Sequence, residues 1–204
     1  MTQARSYRGV AQADRVALRR EALISAGLDC LHADGLAGFG VRAVCGRAKL
    51  TARYFYESFA DIDGLLVAIV DAVCADVAAH ALDAIGAAGP DLESKVHAAV
   101  RSAFTVLSDD PRKASAFLLA SAGPEMLHDK RDEWLTEFVA LVLKNLPVRA
   151  GASLPGKRAA RGAALFVMGG TTELLRAVFS GSLALSPTEV VERLTFMWMA
   201  VLAE

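Results

Sequence analysis

The sequence predicts an all-α protein of about nine helices, an N-terminal three-helix unit containing a helix-turn-helix joined to a larger helical body. Three observations carry that expectation. Apolar residues recur at helical spacing along most of the 204 residues, and alternating β-branched runs are scarce. Ala and Leu, both strong helix formers, are abundant throughout. Proline falls between the periodic stretches, as in DDP at 109–111, GP at 123–124 and SP at 186–187, where its missing N–H does no harm to a helix start.

Composition sets the class. With 54% hydrophobic and 22% charged side chains the chain is globular, of a length for one compact unit or two small domains. No apolar run is expected to reach the roughly 18 residues of a membrane span. The stretch MTQARSYRGVAQADR lacks the apolar centre of a signal peptide. Three cysteines without paired spacing fit a reducing interior, so a cytoplasmic location is expected. The net charge of −1 conceals an asymmetry: residues 1–60 carry nine Lys/Arg against five Asp/Glu, a surplus of +4, and the remainder is at −5. A basic head on an acidic body suits a chain that meets phosphate at one end.

In chain order, residues 1–13 carry Arg5 and Arg8 without a core pattern. Two readings stand for them, a disordered terminus or a flexible basic arm that adds phosphate or minor-groove contacts. A first helix over 14–33 aligns Leu23, Ile24, Gly27, Leu28 and Leu31 on one stripe, with Gly35 as its C-cap. Gly38-Phe39-Gly40 has no strand before it and reads as a hinge, not a phosphate loop. Next come two short helices in VRAVCGRAKLTARYFYESF, 41–59. Val41, Val44, Cys45 and Ala48 make the apolar face of the first; the turn falls at Lys49 and Leu50, and Thr51 is the expected N-cap of the second. The second helix buries Ala52, Phe55 and Phe59 and leaves Arg53, Tyr54, Tyr56 and Glu57 outward. Arg and two tyrosines offered to solvent on a short helix suit entry into a DNA major groove.

Over about 21–66, HADG, RAVCGRAKLT, RYFYESF and ADIDGLL resemble the TetR (tetracycline repressor) family of bacterial transcription regulators. The Tyr-x-x-Phe pattern of Tyr56 and Phe59 is the most specific feature. Two positions depart from the family pattern. Lys49 stands where the inter-helix turn usually has Gly, and Ile62 where a basic residue usually opens the fourth helix and reaches a phosphate. The resemblance implies a DNA-binding domain over 14–60 and a ligand-binding and dimerisation domain over 61–204. It implies DNA contact by Arg42, base-edge contacts by Ala52, Arg53, Tyr54 and Glu57, and phosphate contacts by Thr51 and Tyr56. The implied function is a dimeric repressor of a palindromic operator in double-stranded DNA, released by a small molecule. The alternative is a dimeric ligand- or partner-binding module whose head no longer reads a specific operator.

A fourth helix over 61–85, capped by Asp61 with Asp63 in its first turn and Asp71, Asp76 and Asp83 outward, would join head to body. The resemblance implies that movement along it couples the two. Five more helices are expected over about 91–108, 111–122, 125–145, 156–180 and 187–203, with NLPVRAGASLPG at 145–156 as the one real loop. Phe104, Leu107, Phe117, Leu118, Met126, Trp134, Phe138, Leu141 and Phe166 are candidates to line a cavity for an apolar or weakly polar effector, although core packing explains most of them equally well. The Gly/Ala-rich helix with Ala164, Met168 and Thr172, and the final helix with Val190, Leu194, Met197, Trp198 and Val201, are the expected homodimer face in a four-helix bundle.

Catalysis is not expected. His32, His80, His97 and His128 are scattered without a metal-binding spacing, and Cys30, Cys45 and Cys74 sit on apolar faces as inert thiols. Asp109-Asp110 before Pro111 reads as a helix start. Glu125, His128 and Asp129 read as a solvated helix face, so no metal or cofactor is predicted.

Overall fold

A computed structural model describes residues 4–123 and 157–202, with 127, 130, 133, 134, 136, 137, 140, 141 and 144 between them; side chains are described except at 4–13, 120–122, 157–161 and 164. Among the described residues the chain is all-helical: α1 (Ala4–Asp34), a 3-10 turn (Leu36–Gly38), α2 (Val41–Ala48), α3 (Ala52–Ser58), α4 (Ile62–Ala87), α5 (Leu92–Asp109), α6 (Pro111–Ala122), α7 (Lys157–Phe179) and α8 (Pro187–Leu202). The helix expected over 125–145 and the loop expected over 145–156 lie largely or wholly outside them. Two compact units emerge, Met1–Ala72 and Val73–Glu204, and the division falls inside α4, twelve residues beyond the expected boundary at 60/61.

In the first unit, α1 corrects the expectation of a flexible arm over 1–13, since it is helical from Ala4. The stretch has no proline, and Ala, Arg and Gln extend a helix more readily than Asp14 interrupts it. Gly35 ends α1 at φ 62°, its N–H donating to Leu31 O at 3.1 Å, as the sequence suggested. The core gathers Leu23, Leu28, Cys30 and Leu31 of α1 with Val44 and Cys45 of α2, Phe55 and Phe59, and Leu65, Leu66, Ile69 and Val70 of α4. Burying such side chains stabilises by roughly 1.5–3 kcal/mol each. A Cβ on Gly27 would collide with the buried Ile69 side chain, so α1 and α4 touch where α1 has no side chain.

Helix α4 opens as expected, with Asp61 Oδ1 accepting from Gly64 N at 2.7 Å. It also corrects the expectation about apolar runs: at 26 residues it is long and apolar enough, by length and composition alone, to cross a membrane. Asp71 and Asp76 interrupt that stretch, and Asp76 pairs with Lys113 Nζ at 2.8 Å. Its buried Leu65, Leu66, Ile69 and Val70 belong to a helix packed against protein.

In the second unit α5, α6 and α8 each start on a cap of their own. Asp91 Oδ1 accepts from Ser94 N at 2.8 Å, and this backbone hydrogen bond holds the Asp91 carboxyl below its ordinary value. Asp110 caps α6 ahead of Pro111 and grips Arg112 through Nε at 2.9 Å and Nη2 at 2.8 Å; the Arg112 side-chain bonds lower its pKa in turn. Ser186 and Glu189 form a reciprocal capping box at α8: Ser186 N donates to Glu189 Oε2 at 2.8 Å, and Glu189 N donates to Ser186 Oγ at 3.3 Å. Helix α5 buries Val96, Val100, Phe104 and Leu107 and packs on α6 and α8.

Candidate nucleic-acid interface

The helix-turn-helix depends on one backbone conformation. Lys49 takes φ 54° and ψ 38°, left-handed, and is the one non-glycine residue with positive φ among the described residues. Leu50 N donates to Cys45 O at 3.0 Å and Lys49 N to Gly46 O at 3.4 Å, the paired bonds of a Schellman stop. The chain thus makes with lysine the turn for which glycine is the easy residue, at a cost of about 1–2 kcal/mol. Thr51 follows in extended conformation, and its carbonyl accepts from Tyr54 N at 3.0 Å and Phe55 N at 3.3 Å. Its hydroxyl does not cap α3, against expectation.

Below α3 the packing is aromatic. Phe55 is fully buried, with ring contacts to Tyr56 at 5.4 Å and Phe59 at 5.8 Å. Above it, Thr51, Ala52, Arg53, Tyr56 and Glu57 are exposed, so Ala52 lies on the outward face and not in the core. Arg53 is 84% exposed and Tyr56 61%. Arg42 is exposed in the first turn of α2. Tyr54 differs from its neighbours: it is half-buried, and the Arg19 guanidinium lies 3.9 Å from its ring centroid. Ile62 is half-buried.

Four arginines of this unit are divided by their partners. Arg47 is anchored to Asp34 at 2.7 Å and to Cys30 Sγ at 3.0 Å. Arg19 pairs with Glu57 at 3.5 Å, and Arg53 Nε donates to the other Glu57 oxygen at 3.1 Å. Arg20 lies over the Phe59 ring at 4.9 Å. Sequence reasoning missed Arg19, whose partners lie far along the chain. Burial pushes the Cys45 thiol up, away from the reactive thiolate.

The body's expected positions separate. Phe104 and Leu107 are buried on α5, and Phe104 stacks on Phe179 with centroids 6.1 Å apart. Phe117, Leu118, Trp134 and Leu141 are half-buried; Met126 and Phe138 lie outside the described residues, as do Glu125, His128 and Asp129. Phe166 is 74% exposed, which corrects its placement in an internal cavity. The residues of the assigned dimer face divide, and Met197 is the exposed one. Thr172, Val190 and Leu194 are buried within their own unit, α8 packing on α5 and α7; Met168, Trp198 and Val201 are half-buried; the Ala164 side chain is not described. Trp198 Nε1 donates to Thr171 Oγ1 at 2.9 Å. On α7 and α8 the large apolar side chains left outward among the described residues are Leu165, Phe166, Phe196 and Met197. The clue in the sequence was their adjacency in pairs, which widens an apolar arc beyond what one neighbouring helix covers.

No sequence-family model and no curated protein matches the chain. Solved structures do. A candidate transcriptional regulator from Pseudomonas aeruginosa PAO1 superposes with a TM-score of 0.72 at 23% identity, over 92% of this chain and 91% of its own. The fatty acid degradation regulator FadR from Bacillus halodurans gives 0.71 at 15% identity, over 88% and 97%. A TetR-like transcriptional regulator from Rhodococcus sp. RHA1 gives 0.65 at 14% identity, over 92% and 98%. The helix-turn-helix, the helical body and these likenesses agree: the chain has the fold of the TetR-like transcriptional regulators.

Proposed function

We propose that the chain is a sequence-specific DNA-binding transcriptional regulator, a cytoplasmic homodimer that represses from a palindromic operator and is released by a small apolar or weakly polar effector. The observation that carries this reading is α3. Its core side is closed by Phe55 and Phe59, while Arg53 and Tyr56 stand in solvent on the other side. A helix exposed in this way has the groups to donate to base edges and phosphates. Arg42 and the uncommitted Thr51 hydroxyl add phosphate donors nearby in sequence. The exposed Leu165, Phe166, Phe196 and Met197 support a second copy as partner, with Gly169 and Gly170 exposed and open beside the first pair.

The test is selection of bound fragments from random duplexes by the full chain at moderate salt. The expected product is a palindrome with half-sites about one helical turn, roughly 10 base pairs, apart. Arg53→Ala is expected to relax preference at one base pair per half-site, a loss of ~1–3 kcal/mol of discrimination. Tyr56→Phe is expected to weaken all sequences alike. Identical preferences for wild type and Arg53→Ala would remove Arg53 from base reading.

A further inference from the structure

Helix α3 does not hold its reading side chain alone. Glu57 accepts from Arg53 Nε through one oxygen at 3.1 Å and pairs through the other with Arg19 Nη1 at 3.5 Å. The Arg19 guanidinium also lies against the Tyr54 ring. Arg19 is 29% exposed and Glu57 39%, whereas Arg53 is 84% exposed. Solvent screens the outer pair, so it adds little to stability. Its consequence is orientation.

A guanidinium held through Nε keeps both terminal nitrogens as a planar fork. Neither has a partner among the described residues, and such a fork can donate to O6 and N7 of a guanine. Ordering the side chain beforehand lowers the entropy lost on docking. A lone Glu57 carboxylate on this face would repel phosphate and swing freely. Arg19 offsets its charge and fixes its second oxygen, and the contact with the Tyr54 ring fixes Arg19.

We propose that Arg19, a residue of α1 outside the helix-turn-helix, is a specificity-determining positioning residue that acts through Glu57 and Tyr54 to set how Arg53 meets a base edge. The proposal rests on the DNA-reading function above. It separates two roles that sequence alone assigns to one class, basic residues near phosphate. Arg19 governs which base is preferred, and its contribution to overall affinity is secondary.

Duplex selection with the full-length wild type, Arg19→Ala, Arg19→Lys and Glu57→Gln tests this, with circular dichroism melts to establish folding. Arg19→Ala is expected to broaden preference by about fivefold or more at the same base pairs that Arg53→Ala broadens. Adding Arg19→Ala to Arg53→Ala is expected to broaden nothing further, because the two act as a unit. Arg19→Lys keeps the charge but loses the guanidinium over the Tyr54 ring and restores only part of the preference. Glu57→Gln, which leaves Arg19 in place, gives the same broadening if Arg19→Ala does not fold. Wild-type preferences in folded Arg19→Ala and Glu57→Gln overturn the proposal. So does a uniform loss of affinity in Arg19→Ala with a salt slope smaller by about 1, the signature of a phosphate contact. A folded wild type that enriches no sequence removes the DNA-reading premise instead, a result distinguishable from either.

Discussion

The two compact units finish their cores differently. In Met1–Ala72 the aromatic and aliphatic core is closed, and the large apolar side chains left outside, Val16, Leu18, Leu36 and Tyr56, are scattered. Val16 and Leu18 stand two apart on a helix and do not share a face. In Val73–Glu204 the stripe of α5 is buried, yet α7 and α8 leave Leu165, Phe166, Phe196 and Met197 outside in adjacent pairs. The first unit therefore presents charge and hydroxyls to its surroundings, and the second presents hydrocarbon. A polyanion suits the one, a second copy of the chain the other.

Phe55→Ala breaks that comparison hardest. Emptying a fully buried aromatic site costs about 3–5 kcal/mol. Amides of α1 to α3 are expected to lose hydrogen-exchange protection while those of α5 keep theirs. Loss of protection in both units together would show that they do not unfold separately.

Phe166→Glu combined with Phe196→Glu comes next. If these side chains are central to a dimer, self-association should weaken by about 30-fold or more in sedimentation velocity, with helicity unchanged. An unaltered dimer would move the interface elsewhere.

Lys49→Gly sharpens the comparison in the other direction. Relief of the left-handed lysine, partly offset by the greater freedom of an unfolded glycine, is expected to stabilise the first unit by about 1 kcal/mol. Chemical denaturation followed by Tyr and far-ultraviolet signals would measure it. A destabilised variant would mean that the Lys49 side chain makes a contribution beyond its backbone.

The smallest effect concerns pH. Asp91, Asp110 and Glu189 all have folded-state pKa values below their ordinary ones, through hydrogen bonds to Ser94, Arg112 and Ser186. Their contribution is present above the unfolded carboxylate values near pH ~4 and is lost as pH falls through the lower folded values. Melting temperatures between pH 6 and 3 should fall, and Asp110→Asn should flatten part of that slope. An unchanged slope would assign the acid loss to other carboxylates.

Legibility in the sequence followed the range of the interactions. The turn was readable because its requirement is local: a left-handed residue was needed at Lys49, and φ 54° supplies it. The Asp61 cap was readable for the same reason. Tyr54 was not, because the cation stacked on it comes from Arg19, far back in the chain. Val190 and Leu194 were correctly apolar, but periodicity cannot say whether a stripe meets α5 of its own unit or a second copy. The start of α1 at Ala4 escaped notice because no Pro marks a boundary there, and composition without periodicity leaves helix and loop equally open.

One measurement reaches the central claim, that α3 reads a DNA sequence. The affinity of the full chain for its selected duplex and for a scrambled one is titrated across salt concentration. The expected result is tighter binding to the selected duplex, by about 10³ or more at physiological salt. Both affinities should fall with salt, at about −0.9 in log–log slope for each phosphate neutralised. Equal affinity for the two duplexes, or no binding at any salt by a folded dimer, would contradict it.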